Sequence, residues 1–435
     1  MKRELGLASA TAIIAGQTIA VGIFLTPAGM AKALASPFWL LMVWLVMGVM
    51  TLCGALSYSV LACRYPETGG SFVYLKRAYG ARVGFLYGWM CLAVMDPGLC
   101  AALAMGLASY LAYLTPLSAF AQKMVAIGTV LAIAGLNVIG TRVSAALLNA
   151  VTWVKIAILL LLPLWAFVTH AGDINNFLPF IAQRAGGAPL AGALAGALIG
   201  AFFSFGGWWE VSRVAGEVRD PGKTLPKALL GGVLLVLTIY IAISAVFIYL
   251  VPIGAVGDGQ AFVAQMGTKL FGVRGGKLLA AIVALSIVSS LAAFMMAVPR
   301  VYFAMAKEGG FVPQIAEVSP RFGTPARAIA LQAALASVLI LAGNFEQIIA
   351  YFIFTAVLFL GLTVTTVFGL HRRGELVKGF AQPYAAAGFT AFVVLLLVLL
   401  AAGRPRESLA GLVVTAVGAL LFRARPAVAP VAPVK

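Results

Sequence analysis

The sequence predicts an all-α polytopic membrane protein, and three observations support this fold class. Hydrophobic residues make up 63% of the chain and charged residues only 10%, whereas soluble globular domains are about half apolar and a quarter charged. The mean hydropathy is +1.05. Apolar segments of about 20 residues, the length of helix that crosses a bilayer, recur from Leu5 to Leu421. We therefore expect the chain to cross the membrane many times.

Helices are favoured over a closed β-barrel because the apolar segments are long and continuous, whereas barrel strands are short and alternate between polar and apolar residues. The first segment follows Lys2 and Arg3, as in a signal peptide. It is too long for one, however, and is interrupted near its centre, so we interpret it as the first membrane helix.

Apolar segments between polar or Pro/Gly breaks predict twelve spans, with boundaries accurate to a few residues. The predicted spans are 8–34, 38–63, 81–113, 122–139, 145–168, 190–215, 226–251, 277–305, 326–343, 347–370, 380–402 and 407–422. We expect residues 1–425 to form a single transmembrane domain and residues 426–435 to form a disordered tail.

The formal charge of +17 raises the question of a nucleic-acid partner, but the basic residues do not form a stripe. If both termini are cytoplasmic, Lys155 lies within the fifth span and most other basic residues face the cytoplasm, as the positive-inside rule requires. This favours a cytoplasmic membrane location and no nucleic-acid partner. The basic residues on the outer side are Lys32, Lys123, Arg184, Lys269, Arg274, Lys277, Arg404 and Arg406.

The residues that metal or nucleophilic chemistry would need are sparse. The candidates are four cysteines and two histidines, namely Cys53, Cys63, Cys91, Cys100, His170 and His371. They lack metal-ligand spacing and form no nucleophile–base pattern, and the sequence has no selectivity-filter motif. We expect neither an enzyme nor a channel, and no metal or cofactor.

Glycine-bearing breaks interrupt the first and sixth spans, which correspond if five helices repeat after five. Repeat one would cover about 8–168 and repeat two about 190–370, with two extra helices in about 380–422. Discontinuous helices at matching positions of inverted repeats indicate a transporter site near the bilayer midplane.

The first break lies in Gly16–Phe24. An unwound segment there would present N–H groups at a helix N-terminus, which favours a carboxylate. Close helix packing by glycine is the alternative explanation. In the sixth span, Gly206 and Gly207 can break the helix and free carbonyls for an ammonium group, with Phe203, Phe205 and Trp208 as possible walls of a pocket. Lipid-facing aromatic residues are the alternative there.

Three motifs resemble the amino acid-polyamine-organocation superfamily. Glu217–Pro221 with Lys223–Pro226 resembles the cytoplasmic end of the family's sixth helix. Tyr65–Ser71 with Tyr74–Gly80 resembles the loop before the third helix, and Pro299–Gly309 resembles the end of the eighth. The motifs occur in the family's order over about the first 330 residues, and they imply its five-plus-five inverted-repeat core.

Within the superfamily, Asn137–Gly140 followed by Lys155 is similar to the L-type amino acid transporter branch and its bacterial exchangers. In that branch a membrane lysine stands where sodium-coupled relatives bind a cation, because an ammonium can contact carbonyls of the first helix as a metal ion would. The alternative is a lysine that snorkels to a helix end.

The first-helix motif departs from the family pattern of glycine, a small residue and glycine, because this chain has Ala20, Val21 and Gly22. The change narrows the space beside the backbone. Either the substrate carboxylate is bound differently from the family pattern, or the site accepts only small ligands. Backbone N–H groups survive the change, so the resemblance places the carboxylate at Val21 and Gly22 and the ammonium at the Thr18 carbonyl. On the sixth helix it places Phe203, as an aromatic gate, with Ser204 and Gly206 around the amino group.

Two acidic residues, Asp96 and Glu210, lie within predicted spans. Buried carboxylates are costly in a membrane and are candidates for proton coupling. Glu210 could instead pair with Arg213, one helical turn away.

Together these features predict sodium-independent transport of small neutral amino acids by alternating access, with exchange as the main hypothesis. Proton-coupled transport of an amino acid or amine, as uptake or export, is the alternative. The expected partners are the amino acid substrate and the bilayer, and we expect the chain to work without an accessory subunit.

Overall fold

A computed structural model describes most of the chain, and the predicted tail at 426–435 lies outside the described residues. The described ranges are 5–67, 69–139, 145–184, 187–255, 262–307, 311–376 and 383–423. Within them the fold is all-α, as predicted. An isolated parallel β-bridge pairs Leu5 with Val218.

The α-helices are numbered in chain order. They are α1 (Leu7–Thr18), α2 (Gly22–Leu34), α3 (Pro37–Arg64), α4 (Ser71–Tyr79), α5 (Ala81–Met90), α6 (Asp96–Leu114), α7 (Ala119–Ile139), α8 (Ala145–Val168), α9 (Leu190–Phe205), α10 (Pro221–Leu250), α11 (Phe262–Ala297), α12 (Pro299–Lys307), α13 (Ala326–Ala342), α14 (Phe345–Arg372), α15 (Tyr384–Gly403) and α16 (Pro405–Arg423). A π-helical turn, Cys91–Met95, joins α5 to α6, and a 3-10 helix, Trp208–Glu217, follows α9.

Among the described residues, ten helical segments are long and apolar enough to cross a membrane, and the bent pair α1 and α2 makes an eleventh. The protein is therefore a multi-span membrane protein. The remaining predicted span, 326–343, corresponds to α13, which is apolar but shorter. The count of twelve and the inverted repeat stay predictions.

The region of the eighth predicted span, 277–305, differs most from the expectation. α11 begins at Phe262 and turns sharply at Gly272, where φ is 68°. A β-carbon on Gly267 would lie 3.0 Å from the Gly275 carbonyl oxygen, which shows that the first part of α11 folds back on the second. Pro299 begins a separate helix, α12, because proline cannot donate the hydrogen bond that continues a helix.

Capping residues position two of the helices that surround the core. The Ser36 side chain accepts from the Trp39 N–H at the start of α3. Asn344 and Gln347 form a capping box at the start of α14, which satisfies two backbone N–H groups that a helix start leaves free. The α14 cap fixes the position of Phe345, whose ring meets Phe203 of α9.

Candidate functional site

The first helix break lies where the sequence predicts it. α1 ends at Thr18, α2 begins at Gly22, and the two axes differ by 44°. The Ile19 N–H donates to the Ala15 carbonyl at 2.8 Å, and this is the last hydrogen bond of the α1 helical pattern before the break. The first N–H groups of α2 have no acceptor within their own helix, and they point toward the break.

The second break is at Gly206 and Gly207, also as predicted, and it contacts the first. Gly207 has a φ of 105°, a conformation that favours glycine. A β-carbon there would lie 2.8 Å from the Gln17 carbonyl oxygen of α1. Packing therefore brings together two chain interruptions that are almost 190 residues apart in sequence.

The start of α2 touches the end of α9 backbone to backbone. A β-carbon on Gly22 would lie 2.3 Å from the Ser204 α-carbon. The Thr26 and Ser204 hydroxyl oxygens are 2.7 Å apart, and the Ser204 hydroxyl also donates to the Gly200 carbonyl. Gly22 therefore allows α2 to pack closely against α9, in addition to its place at the first helix break.

A small cavity of about 20 Å³ lies between the two breaks. A cavity of this size holds roughly one water molecule, so the structure represents a closed form of the site. Its lining residues are Gln17, Thr18, Ala20, Val21, Gly22, Leu99, Phe203, Gly206, Gly207 and Phe352.

The sequence-based candidates divide into those that line this cavity and those behind it. Thr18, Ala20, Val21, Gly22, Phe203 and Gly206 line it, whereas Ser204 is fully buried and contacts Thr26 and Gly22 instead. Four further lining residues, Gln17, Leu99, Gly207 and Phe352, were not among the predicted binding residues. Gln17 and Gly207 belong to the predicted breaks, but no local pattern marks Leu99 or Phe352.

Lys155 contacts α1 from the side of α8. Its side chain is 5% exposed, and its Nζ donates to the Gly16 carbonyl at 3.1 Å. Gly16 lies in the last turn of α1, where helical carbonyls lose their own partners. The lysine thus reaches the first helix just before its break rather than snorkelling to a helix end.

Tyr240 of α10 links the two interrupted helices. Its hydroxyl lies 3.0 Å from the Thr18 carbonyl oxygen and 2.7 Å from the Ser204 carbonyl oxygen. A single O–H donates to one of the two at a time. Tyr240 is fully buried beside Trp44 and Phe205. An isolated tyrosine in an apolar helix was the only signal in the sequence.

Aromatic rings cover the cavity on one side. The Phe203 ring packs edge-on against Phe345, with centroids 6.1 Å apart, and against Phe352, with centroids 6.3 Å apart. Both partners lie on α14. The predicted gate residue therefore does contact a neighbouring helix.

Charged residues form a buried cluster around the 3-10 helix that follows α9. Arg213 Nε lies 2.9 Å from Glu210 Oε2, and Arg213 Nη2 lies 3.7 Å from Asp96 Oδ1. The Tyr302 hydroxyl donates to Asp96 Oδ2 at 3.0 Å. The two acids that the sequence analysis treated separately thus share one guanidinium, and the predicted pairing of Glu210 with Arg213 is present.

The described residues contain no group of three or more His, Cys, Asp or Glu side chains that could hold a metal ion. The charged groups near the cavity are instead an ammonium on α8 and the Arg213 cluster.

Comparison with known proteins gives a consistent result. A family model described as amino acid permease matches residues 5–422. The serine/threonine exchanger SteT of Bacillus subtilis (strain 168) is 30% identical over 391 residues, which cover 88% of this chain and 86% of that protein. Human b(0,+)-type amino acid transporter 1 is 26% identical over 408 residues, covering 92% and 82%.

Large neutral amino acids transporter small subunit 2 of Mus musculus is 28% identical over 371 residues, which cover 84% of this chain and 69% of that protein. These relatives are transporters rather than enzymes, and they include members of the L-type branch that the motifs indicated. Because the family match runs through both broken helices and Lys155, the chain belongs to the amino acid permease family.

Proposed function

We propose that this protein exchanges small neutral amino acids across a cytoplasmic membrane by alternating access and without sodium. The observation that carries the proposal is the cavity between the two helix breaks. The names of the relatives, a serine/threonine exchanger among them, support the substrate class.

The lining of the cavity suits a zwitterion. The substrate carboxylate would face the N–H groups at Val21 and Gly22, where the α2 dipole is positive. The ammonium would face the carbonyls at Thr18 and the Gly206 break, since carbonyl oxygens accept from an ammonium. The lining contains no charged side chain, so it offers no partner for a cationic or anionic substrate side chain, which favours neutral substrates.

The walls favour a small substrate side chain. Val21, Leu99 and Phe352 each present an apolar group to a cavity of about 20 Å³. An amino acid needs more room than this, so the walls must separate during binding. Each extra methylene would require further separation, which costs packing contacts.

Lys155 supports sodium independence. Its ammonium occupies a position beside the α1 carbonyls, where a bound cation would otherwise supply positive charge. An ammonium that belongs to the chain itself would stabilise the end of α1 without a bound sodium ion.

Liposomes that contain the purified chain and unlabelled alanine test the proposal. We expect rapid uptake of labelled alanine or serine, equal in sodium and potassium buffers, and little uptake into empty liposomes. Slower uptake of leucine is expected. Uptake that requires sodium would contradict the proposed sodium independence. Equal uptake with and without internal substrate would contradict the exchange mechanism.

The same liposomes test the membrane assembly. We propose that both termini face the cytoplasm and that the chain works alone, although one relative is named as a small subunit. Transport by the purified single polypeptide supports the proposal that the chain works alone, and activity only after addition of a second membrane protein contradicts it. Protease cleavage of tags at both termini in inside-out but not in right-side-out vesicles supports the orientation.

Proton-coupled transport is the second candidate, because Asp96 and Glu210 are buried acids beside the site. Both contact Arg213, so the three side chains form an ion-pair network that joins α6 to the 3-10 helix after α9, and this network gives the two acids a structural role. We therefore expect Asp96→Asn and Glu210→Gln to slow exchange while leaving its pH dependence unchanged. The measurement is exchange from about pH 5 to pH 8, a range that spans the physiological titration window.

A proton-coupled carrier would behave differently in that experiment. A pH gradient would drive accumulation of substrate by the wild type, and Asp96→Asn or Glu210→Gln would abolish that accumulation. These two results together would replace the exchange mechanism with proton-coupled transport.

The Val21 side chain fits a notch at Gly106 of α6, and this pair makes a further prediction. A β-carbon on Gly106 would lie 2.3 Å from Val21 Cγ2. We expect Gly106→Ala to push Val21 toward the cavity and to slow exchange about tenfold, equivalent to the ~1–3 kcal/mol typical of overpacking. Val21→Ala in the same chain should restore much of the rate.

Gly128→Ala serves as the control, because a β-carbon at Gly128 would meet no atom within 4 Å. Its exchange rate should equal that of the wild type. If Val21→Ala fails to rescue Gly106→Ala while the double variant folds, the notch does not control the cavity.

A further inference from the structure

A large apolar groove lies on the lipid-facing surface, away from the substrate cavity. It has a volume of about 430 Å³. Along α8 it is lined by Ile158, Leu161, Trp165 and Val168, and across from them by Phe271 and Leu279 of α11. The Trp165 and Phe271 rings are 6.1 Å apart and close one end of the groove.

The groove follows α8 to the end of that helix. Its α8 lining from Ile158 to Val168 covers about 15 Å at ~1.5 Å per residue. Val168 is the last residue of α8, so the groove extends from the middle of a span to its end. Its length and apolar lining match a lipid acyl chain.

Basic residues gather at the surface end of the groove. Lys269, Arg274 and Lys277 are exposed on the turn of α11 around Gly272, within a few residues of Phe271 and Leu279. The α11 sequence itself contains no acidic residue. None of the three forms an ion pair with a carboxylate in the part of the chain that the structure describes.

The position of this cluster needs an explanation. Positive charge is depleted on the outer side of membrane proteins, yet three of the eight basic residues that the sequence places outside lie on this one turn. A surface that concentrates positive charge beside an acyl-sized groove is complementary to an anionic lipid, since basic residues near a membrane surface attract anionic headgroups.

We propose that the groove binds one anionic phospholipid. One acyl chain lies between α8 and α11, and the phosphate contacts Arg274 and Lys277, with Lys269 at its edge. Trp165 then lies near the glycerol level, where amphipathic aromatic rings are favoured. The site is independent of amino acid binding.

Thermal unfolding of the full chain in mixed micelles tests whether the protein prefers an anionic headgroup. We expect phosphatidylglycerol to raise the Tm more than phosphatidylcholine at equal mole fraction, and 0.5 M salt to reduce that difference because salt screens exposed charges. The triple variant K269A/R274A/K277A should lose the difference. The matched variant K123A/R404A/R406A removes the same charge on the same predicted side and should keep it.

Fluorescence quenching tests whether a lipid acyl chain occupies the groove beside Trp165. The difference between wild type and Trp165→Phe isolates the emission of Trp165. We expect phosphatidylglycerol with brominated acyl chains to quench this emission more strongly than brominated phosphatidylcholine. Equal quenching by the two lipids, a triple variant that keeps the Tm difference, or a dimer whose formation buries Trp165 in the absence of lipid would overturn the proposal.

Discussion

Gly22→Ala is expected to abolish exchange. The new methyl group would lie 2.3 Å from the Ser204 α-carbon, and backbone cannot rotate away as a side chain can. The start of α2 would have to move from α9, which shifts the N–H groups proposed to hold the carboxylate. A displacement of about 1 Å in a binding site can cost about a hundredfold in rate. The measurement is exchange of labelled alanine in liposomes at equal protein content.

Gly29→Ala is the matched control, because Gly29 lies in the same helix and a β-carbon there would meet no atom within 4 Å. Alanine also favours the helix by about 1 kcal/mol over glycine, so this variant should fold well and exchange normally. If Gly22→Ala folds and exchanges alanine at the wild-type rate, the contact between α2 and α9 does not shape the site.

Lys155→Met is expected to reduce exchange at least tenfold without lowering the Tm. The lysine donates a charged hydrogen bond to the Gly16 carbonyl at 3.1 Å, and such bonds contribute about 1.5–3 kcal/mol. Methionine preserves the length of the side chain but removes the donor. Because the desolvation of a buried charge is itself costly, replacing lysine by an apolar residue offsets the loss of this hydrogen bond, so the Tm should change little.

Lys123→Met is the control for this effect. Lys123 also donates to a backbone carbonyl, that of Leu341, at 2.9 Å, but its side chain is only partly buried. Its loss should leave exchange unchanged. A Lys155→Met variant that loses stability and activity together would assign the lysine a structural role only, since transport chemistry does not require that the Tm fall.

Much of the candidate site could be predicted because it follows from local sequence. Gly206 and Gly207 lack the side chains that stabilise a helix, so the second break was visible in the sequence. The first break was visible because Gly16 and Gly22 interrupt an apolar segment. Lys155 stood out because a charged residue is rare in the middle of a span.

Other parts of the site depend on residues that carry no local signal. Leu99 and Phe352 are ordinary apolar residues of α6 and α14, and they line the cavity only because both helices turn those faces inward. The sequence predicted that Arg213 pairs with Glu210, but it gave no sign that the same guanidinium also contacts Asp96 of α6. The rotation of each helix about its axis decides such contacts.

The sequence by itself determined that the chain is an all-α membrane protein, where most of its spans lie, which two are broken and which family it resembles. These properties depend on windows of about 20 residues, within which hydropathy, glycine and charge act locally. Only the tertiary structure decided that Val21 fits against Gly106, that Tyr240 joins the ends of α1 and α9, and that α11 turns back at Gly272. Those contacts join distant parts of the chain, and close packing between helices selects them.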